Sequence, residues 1–322
     1  MRKRCAVLPL LVFLFSSCDQ SFTPKAPFVS RPVVTCIVAG DGYGYTATAT
    51  VGKTYDVPGL DAMSNTTDPF DTSAVVVVTV AGTPTTLKLR KSGRADTSRY
   101  TTKEYRFQGN GVLPYFSGGG LKLAITTGSG ARLTSATTVP QPRLVETDYD
   151  FVAGVTANTV QPQWTFNWDN GQRDDRLYFP RMLLSYQIID GNGTVDKKVE
   201  IPLTYVEKDG KRIPVYPSFT RRLALSYDFA AMTEAIAAIS DGDSVKSRYK
   251  IGMLSFTLVE YDIQLSNYYS SSHGYLDQYS IRVDETTYSN VTGGIGIFGS
   301  YYTNERLYEM KTQYVRSFGY QK

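Results

Sequence analysis

One histidine stands in the whole chain, His273, directly after Tyr268-Tyr269-Ser270-Ser271-Ser272. A serine beside a histidine suggests acyl transfer, but a working nucleophile also needs an orienting acid and a strained turn such as Gly-x-Ser-x-Gly, and no such elbow accompanies it. His273 reads as a loop residue. Cysteine and histidine are too scarce for a zinc site. Carboxylates offer more, because Asp169, Asp174 and Asp175 closely follow Trp164 and Trp168. Paired acids beside aromatic faces are how glycosidases cleave sugars. The competing reading is that Trp164, Phe166 and Trp168 alternate along a strand and pack a core, while the acids solvate the Asp169-Asn170-Gly171 turn. A calcium site at Asp169, Asn170, Asp174 and Asp175, or at Asp241 and Asp243, lacks the spacing of an EF-hand. The string Gly293-Gly294-Ile295-Gly296 is not followed by the Lys and Ser or Thr of a phosphate-cradling loop. Its glycines point instead to positive φ or close backbone packing. No residue set specifies a reaction, and neither a metal nor a cofactor is expected.

The cysteine with the clearest chemistry is Cys18. Arg2, Lys3 and Arg4 precede an apolar stretch from Ala6 to Phe15, which is the layout of a secretory signal. That stretch is about half of the roughly 20 residues needed to span a bilayer. Leu14-Phe15-Ser16-Ser17-Cys18 then resembles a relaxed lipobox, with Phe15 where Leu is usual, so residues 1–17 are expected to be removed and Cys18 to carry lipid. Loss of the three basic residues lowers the formal charge from +4 to +1, and near-neutral charge speaks against a nucleic-acid partner. With Cys18 lipidated, Cys36 is left without an internal disulfide partner.

These residues must be positioned by β-structure. Tyr, Thr, Val and Phe are abundant, Gly and Asp mark many turns, and helical periodicity is sparse. Residues 18–32, with Pro24, Pro27 and Pro32, read as a tether. Strands are expected at Val33 to Val38, Tyr43 to Val51, Ala74 to Val80, Thr86 to Arg90, Tyr105 to Phe107 and Leu121 to Thr126, which makes 33–140 an immunoglobulin-like or prealbumin-like sandwich. Pro140-Gln141-Pro142 ends it. A second β-rich domain, 141–322, restarts with strands at Gln163 to Trp168 and Leu177 to Ile189, and Asp190-Gly191-Asn192-Gly193 turns a hairpin into Val195 to Leu203. A second hairpin turns at Lys208-Asp209-Gly210. One short helix is expected from Phe229 to Ile239, capped by Asp228 and ended by Asp241-Gly242. A further β segment follows at Ser247 to Val259, and Glu260 to Tyr269 reads equally as helix or strand.

Near the C-terminus, Asn290-Val291-Thr292-Gly293-Gly294-Ile295-Gly296-Ile297-Phe298-Gly299-Ser300-Tyr301 resembles the ending of the Bacteroidota lipoprotein family named domain of unknown function 4249, where an Asn-Ile-x-Gly-Gly-x-Gly-x-Phe-Gly string occurs. Three other features fit that pattern in order: the lipobox cysteine, the Thr137 to Pro142 stretch, and Gly242-Asp243-Ser244-Val245 opening a strand. The chain departs from it at Val38-Ala39-Gly40, where Val-Glu-Gly is usual, and by an insertion-like stretch near Leu60 to Thr72. The resemblance implies a lipid-anchored outer-membrane protein with no established enzyme activity, often encoded beside a TonB-dependent transporter.

The expectation is thus a non-catalytic binding or accessory subunit beside such a transporter, with the periplasmic and cell-surface faces both open and the surface favoured. Trp164, Trp168, Tyr301 and Tyr302 are the candidate contacts for a partner, glycan or peptide. Asn290, Gly293, Gly294, Gly296, Phe298 and Gly299 form the motif that supports them. The alternative is a carboxylate-based glycan hydrolase or a glycan-binding lipoprotein.

Overall fold

Alternating small and β-branched residues along Pro32–Gly40 and Tyr45–Lys53 bury every second side chain, Val34, Cys36 and Val38 on the first and Ala47, Ala49 and Val51 on the second, as expected of strands with one face toward a core. The computed structural model describes residues 27–57, 61, 64–94, 97, 100, 103–109, 118–148, 163–169, 171, 175–191, 193–273 and 288–322, the side chains of Ser272 and His273 excepted. Cys18 and the residues before it lie outside them, as do Asn170 and Asp174.

Among these residues the first half holds β1 (Pro32–Gly40), β2 (Tyr45–Lys53), β3 (Val75–Val80), β4 (Thr83–Thr86), β5 (Lys88–Ser92), β6 (Glu104–Gln108), β7 (Gly120–Thr126) and β8 (Arg132–Thr138). The second holds β9 (Val145–Thr147), β10 (Gln163–Trp168), β11 (Tyr178–Asp190), β12 (Gly193–Glu200), β13 (Thr204–Lys208), β14 (Lys211–Val215), β15 (Ala224–Asp228), β16 (Tyr249–Tyr261) and β17 (Ile295–Tyr308). Helices α1 (Phe229–Ala237), α2 (Ile263–His273) and α3 (Thr312–Ser317) complete it. The protein is mainly β, with several sheets and few helices. Where one short helix was expected there are three. The undecided stretch is both strand and helix, for β16 runs through Tyr261 and α2 begins two residues later. Asp228 stands at the N-cap of α1 but makes no cap bond; its Oδ1 accepts from Gln163 Nε2 at 2.9 Å instead.

An eight-stranded sheet runs β12-β11-β16-β17-β1-β2-β6-β5. It joins the two expected domains, because β17 pairs in parallel with β1 from Val33↔Ile295 to Gly40↔Tyr302. The cores remain largely separate. Val34, Cys36 and Val38 pack with Val76, Val78, Leu121 and Leu123 of the four-stranded sheet β4-β3-β7-β8, making a sandwich. Met182, Leu184, Leu254, Phe256 and Leu258 pack with Trp164, Phe166 and Trp168 of the sheet β15-β10-β9, and with α1. Strand β17 serves both, for Phe298 and Tyr302 belong to the first core and Tyr308 to the second. Its alternate residues, Ile297 and Tyr301, join a third cluster with Leu265 of α2. No described helix is long and apolar enough to cross a membrane.

Candidate functional site

Two sandwiches built on one shared sheet leave a seam, and the link after Pro140 crosses it. Glu260 reaches the seam because it pairs with Tyr302 in register, on the face that carries both cores. Its side chain is fully buried and is held by Arg143, with Nε 2.6 Å from Oε2 and Nη2 2.9 Å from Oε1. The Arg143 backbone N–H donates to Asn304 Oδ1 at 2.8 Å, fixing the link to β17. The hydrogen bonding to Glu260 raises the Arg143 pKa above its ordinary value. Two-pronged pairing of this kind is among the strongest a protein makes, and removing either partner leaves an uncompensated buried charge.

Two residues on, Asp262 is also fully buried. Its Oδ1 accepts the Leu265 N–H at 2.7 Å, capping α2 from its first turn. Its Oδ2 accepts from Thr137 Oγ1 at 2.5 Å, Ser300 N at 2.7 Å and Ser300 Oγ at 3.3 Å. One carboxylate thus ties together β8, β17 and α2. Burial pushes its pKa above the usual carboxylate range, against the opposite pull of these donors and of the Arg176 charge.

Arg176 is 3% exposed. Its Nη1 donates to Tyr261 O at 3.3 Å, while Nε has no acceptor among the described residues. The nearest carboxylate, Asp175 Oδ1, lies 3.8 Å away, beyond hydrogen-bond reach. Arg143, Arg176, Glu260, Gln141, Thr138 and Gly118 are among the residues enclosing a cleft of about 260 Å³. Glu260 accepts two bonds from Arg143 and Asp262 accepts four, so neither is arranged as a free acid or nucleophile. The unspent capacity belongs to a guanidinium.

No family model matches the chain, and no curated protein does.

The residues expected to make contacts are placed differently. Trp164 and Trp168 are 0% and 4% exposed. Phe166 stacks on Phe256 with centroids 4.0 Å apart, and Trp164 meets Tyr308 edge-on at 4.9 Å. Both tryptophans fill the second core and present no face to a sugar, since strand alternation turns them inward together. Asp169 Oδ1 accepts the Gly171 N–H at 2.8 Å and shapes its own turn. Tyr302 is 5% exposed and packs over Gly40, so it is no surface anchor. Tyr301 is partly buried, with its ring 6.0 Å from Tyr261. Among the described residues, no three His, Cys, Asp or Glu side chains converge to hold a metal ion.

The motif is a joint. Asn290 imitates a strand neighbour, with Nδ2 donating to Phe298 O at 2.7 Å and Oδ1 accepting Phe298 N–H at 2.8 Å. Gly293 and Gly296 adopt φ of +86° and +140°. A Cβ on Gly293 would overlap Arg132 O, and one on Gly296 would overlap Val34 O. At Gly299 a Cβ would strike Leu265 of α2, and at Gly294 it would strike Leu133. Thr292 bridges to Thr134 of β8. The string lets β17 lie against β1, β8 and α2 at once.

Sequence reasoning missed the seam. A signal was present in Val259-Glu260-Tyr261-Asp262, two acids in apolar surroundings at the end of a buried strand, where charge is rare unless it is paired.

Proposed function

We propose that this chain is a lipid-anchored protein of the outer membrane, displayed at the cell surface, that works by contact as an accessory or binding subunit beside a TonB-dependent transporter. The carrying observation is an aromatic face on the side of the large sheet away from the two main cores. Tyr269 stacks on Phe219 at 5.0 Å, Phe219 meets Phe179 at 5.1 Å, and Tyr268 meets Tyr269 edge-on at 5.5 Å. Tyr301 and Tyr288 border them, and these six rings are only partly buried. Partly exposed tyrosines with fixed rings are the side chains that dominate interfaces, because they contribute large area at little cost in rotamer freedom. The resemblance of the Asn290 to Tyr301 string and of the Cys18 lipobox supports the same reading, and the site moves from Tyr302 to the face that includes Tyr301 and Tyr268.

Replacing Tyr268 and Tyr301 together by Ala should abolish recovery of a transporter after mild detergent extraction while melting shifts by only a few degrees. Unchanged recovery, or no transporter recovered with the wild type, removes the reading. Cys18→Ser should release the protein from the membrane fraction and abolish labelling by a fatty-acid analogue; a variant that still sediments with membranes removes the anchor.

A second reading, glycan binding, rests on the same rings as stacking platforms for sugars. A carboxylate-based hydrolase is less well supported, because Glu260 is held by Arg143 and Asp262 by Thr137, Ser300 and Leu265.

A further inference from the structure

The tyrosine face does not use the seam, where one charged and almost wholly buried side chain keeps an unmade hydrogen bond. Arg176 is almost wholly buried, yet its Nε finds no acceptor there. A buried donor left unmade costs about 1–3 kcal/mol, more when charged, so an acceptor that reached this one would be favoured. Arg176 is itself among the residues that line the cleft of about 260 Å³, with Arg143, Gln141 and Thr138. That volume is just below the roughly 300 Å³ at which drug-sized pockets begin. It suits one small molecule.

The charges around the cleft define that molecule further. Arg143 is neutralised by its two bonds to Glu260. Among the described residues the Arg176 charge meets Asp175, whose side chain is 53% exposed, and the Asp262 carboxyl. With a half-exposed aspartate 3.8 Å away as its counter-charge, Arg176 leaves room for about one negative charge in the cleft. A guanidinium presents planar paired donors, and the planar acceptor that matches them is a carboxylate. Both flanks are cut to fit: a side chain on Gly171 would overlap Arg143 and one on Gly118 would press on Gln141, and both glycines have positive φ, +58° and +72°.

We propose that the seam is a binding site for a small organic carboxylate, held by Arg176 between the two sandwiches. The ligand would lie against Thr138 to Gln141 of the first half and Arg176 and Glu260 of the second, so that occupancy also clamps the halves together. This goes beyond the contact function and does not depend on it, for Cys18 and the tyrosine face can act with the seam empty.

The test is calorimetric titration of the full-length protein in detergent with acetate, lactate and D-glucuronate as probes, and with inorganic phosphate and sulfate for contrast. The expected result is saturable one-to-one binding of at least one carboxylate, weakened at least about tenfold by Arg176→Gln and unchanged by Arg181→Gln, which alters a partly exposed pair with Glu200. No saturable binding of any of the three by the wild type overturns the proposal. So does phosphate or sulfate binding as tightly as the carboxylates, or an Arg176→Gln variant that binds like the wild type. Should Arg176→Gln fail to fold, mass spectrometry of phenylglyoxal adducts on the wild type decides instead: the bound carboxylate must protect Arg176, and equal modification with and without it overturns the site. None of these outcomes touches transporter recovery, which is read separately.

Discussion

The Trp-rich core and the glycine joint are both conspicuous in sequence, and they are built on opposite principles. In the core, Trp164, Phe166, Tyr227, Phe256 and Tyr308 occupy space by bulk, with tilted, stacked and edge-on rings. Such a core leaves loose ends: Trp164 Nε1, Trp168 Nε1, Tyr178 OH and Tyr227 OH are buried without hydrogen-bond partners among the described residues. In the joint, Gly293, Gly294, Gly296 and Gly299 work by having no side chain, and Asn290, Thr292 and Ser300 meet their polar partners. Bulk can be trimmed with graded loss, whereas an absent Cβ admits no gradation.

That contrast can be broken most sharply at Gly296. Its φ of +140° and the overlap of any Cβ with Val34 O leave no relaxed conformation for another residue. Gly296→Ala should cost on the order of 4 kcal/mol or prevent folding, read by urea denaturation and by yield of soluble protein. A loss below about 1 kcal/mol would show that β1 and β17 do not need this approach. Trp164→Ala should cost about 3–5 kcal/mol, as large-to-small changes in packed cores do. Trp164→Phe should restore a good part of that, and the same denaturation experiment distinguishes the two.

Asp262 sharpens the comparison through pH. Because burial holds its native pKa above the ordinary range, the folded state keeps the proton after the unfolded chain has released it. Its contribution is then complete below the unfolded value, about 3.9, and is lost as pH rises through the native value. The stability of the wild type relative to Asp262→Asn should accordingly be greatest below about pH 4 and shrink as pH rises. A difference that grows with pH would mean the carboxylate is held ionised by its four donors. The smallest effect belongs to Cys36, which packs on β1 opposite Phe298 and Ala49. Burial pushes its thiol up to about 12, so a disulfide reagent at neutral pH should label it only as fast as the joint opens. Cys36→Ala should change stability by only about 1 kcal/mol. Rapid labelling of the native protein would show that the joint breathes freely.

Much of this architecture was legible in residue patterns. Gln163–Trp168 forms a strand over the expected span, Asp190 to Gly193 turns the expected hairpin, and the helix after Asp228 begins where expected. Period-two alternation identifies a strand and its buried face. It says nothing about which strand lies next to it, and so the parallel β1–β17 pair, which joins two apparently separate halves, was invisible. The seam escaped for a related reason. Arg143, Arg176 and the Glu260–Asp262 stretch lie far apart in the chain and converge only once that pair has formed. The tryptophans were readable as core or as site, and alternation alone could not choose until burial was seen.

The pairing of β1 with β17 also bears on the order in which the polypeptide can acquire its shape. A chain emerges from its N-terminus, yet the neighbour of its first strand is nearly its last. Until Ile295 to Tyr302 arrive, β1 keeps an unpaired hydrogen-bonding edge, and Val291, Phe298 and Tyr302 are missing from the first core. Such an edge is an aggregation template, and closure over so long a separation is slow. Nascent or truncated chains ending before Asn290 should therefore be the form in which this protein needs chaperone protection, and completion of the sheet is a late event, set by the length of the whole body.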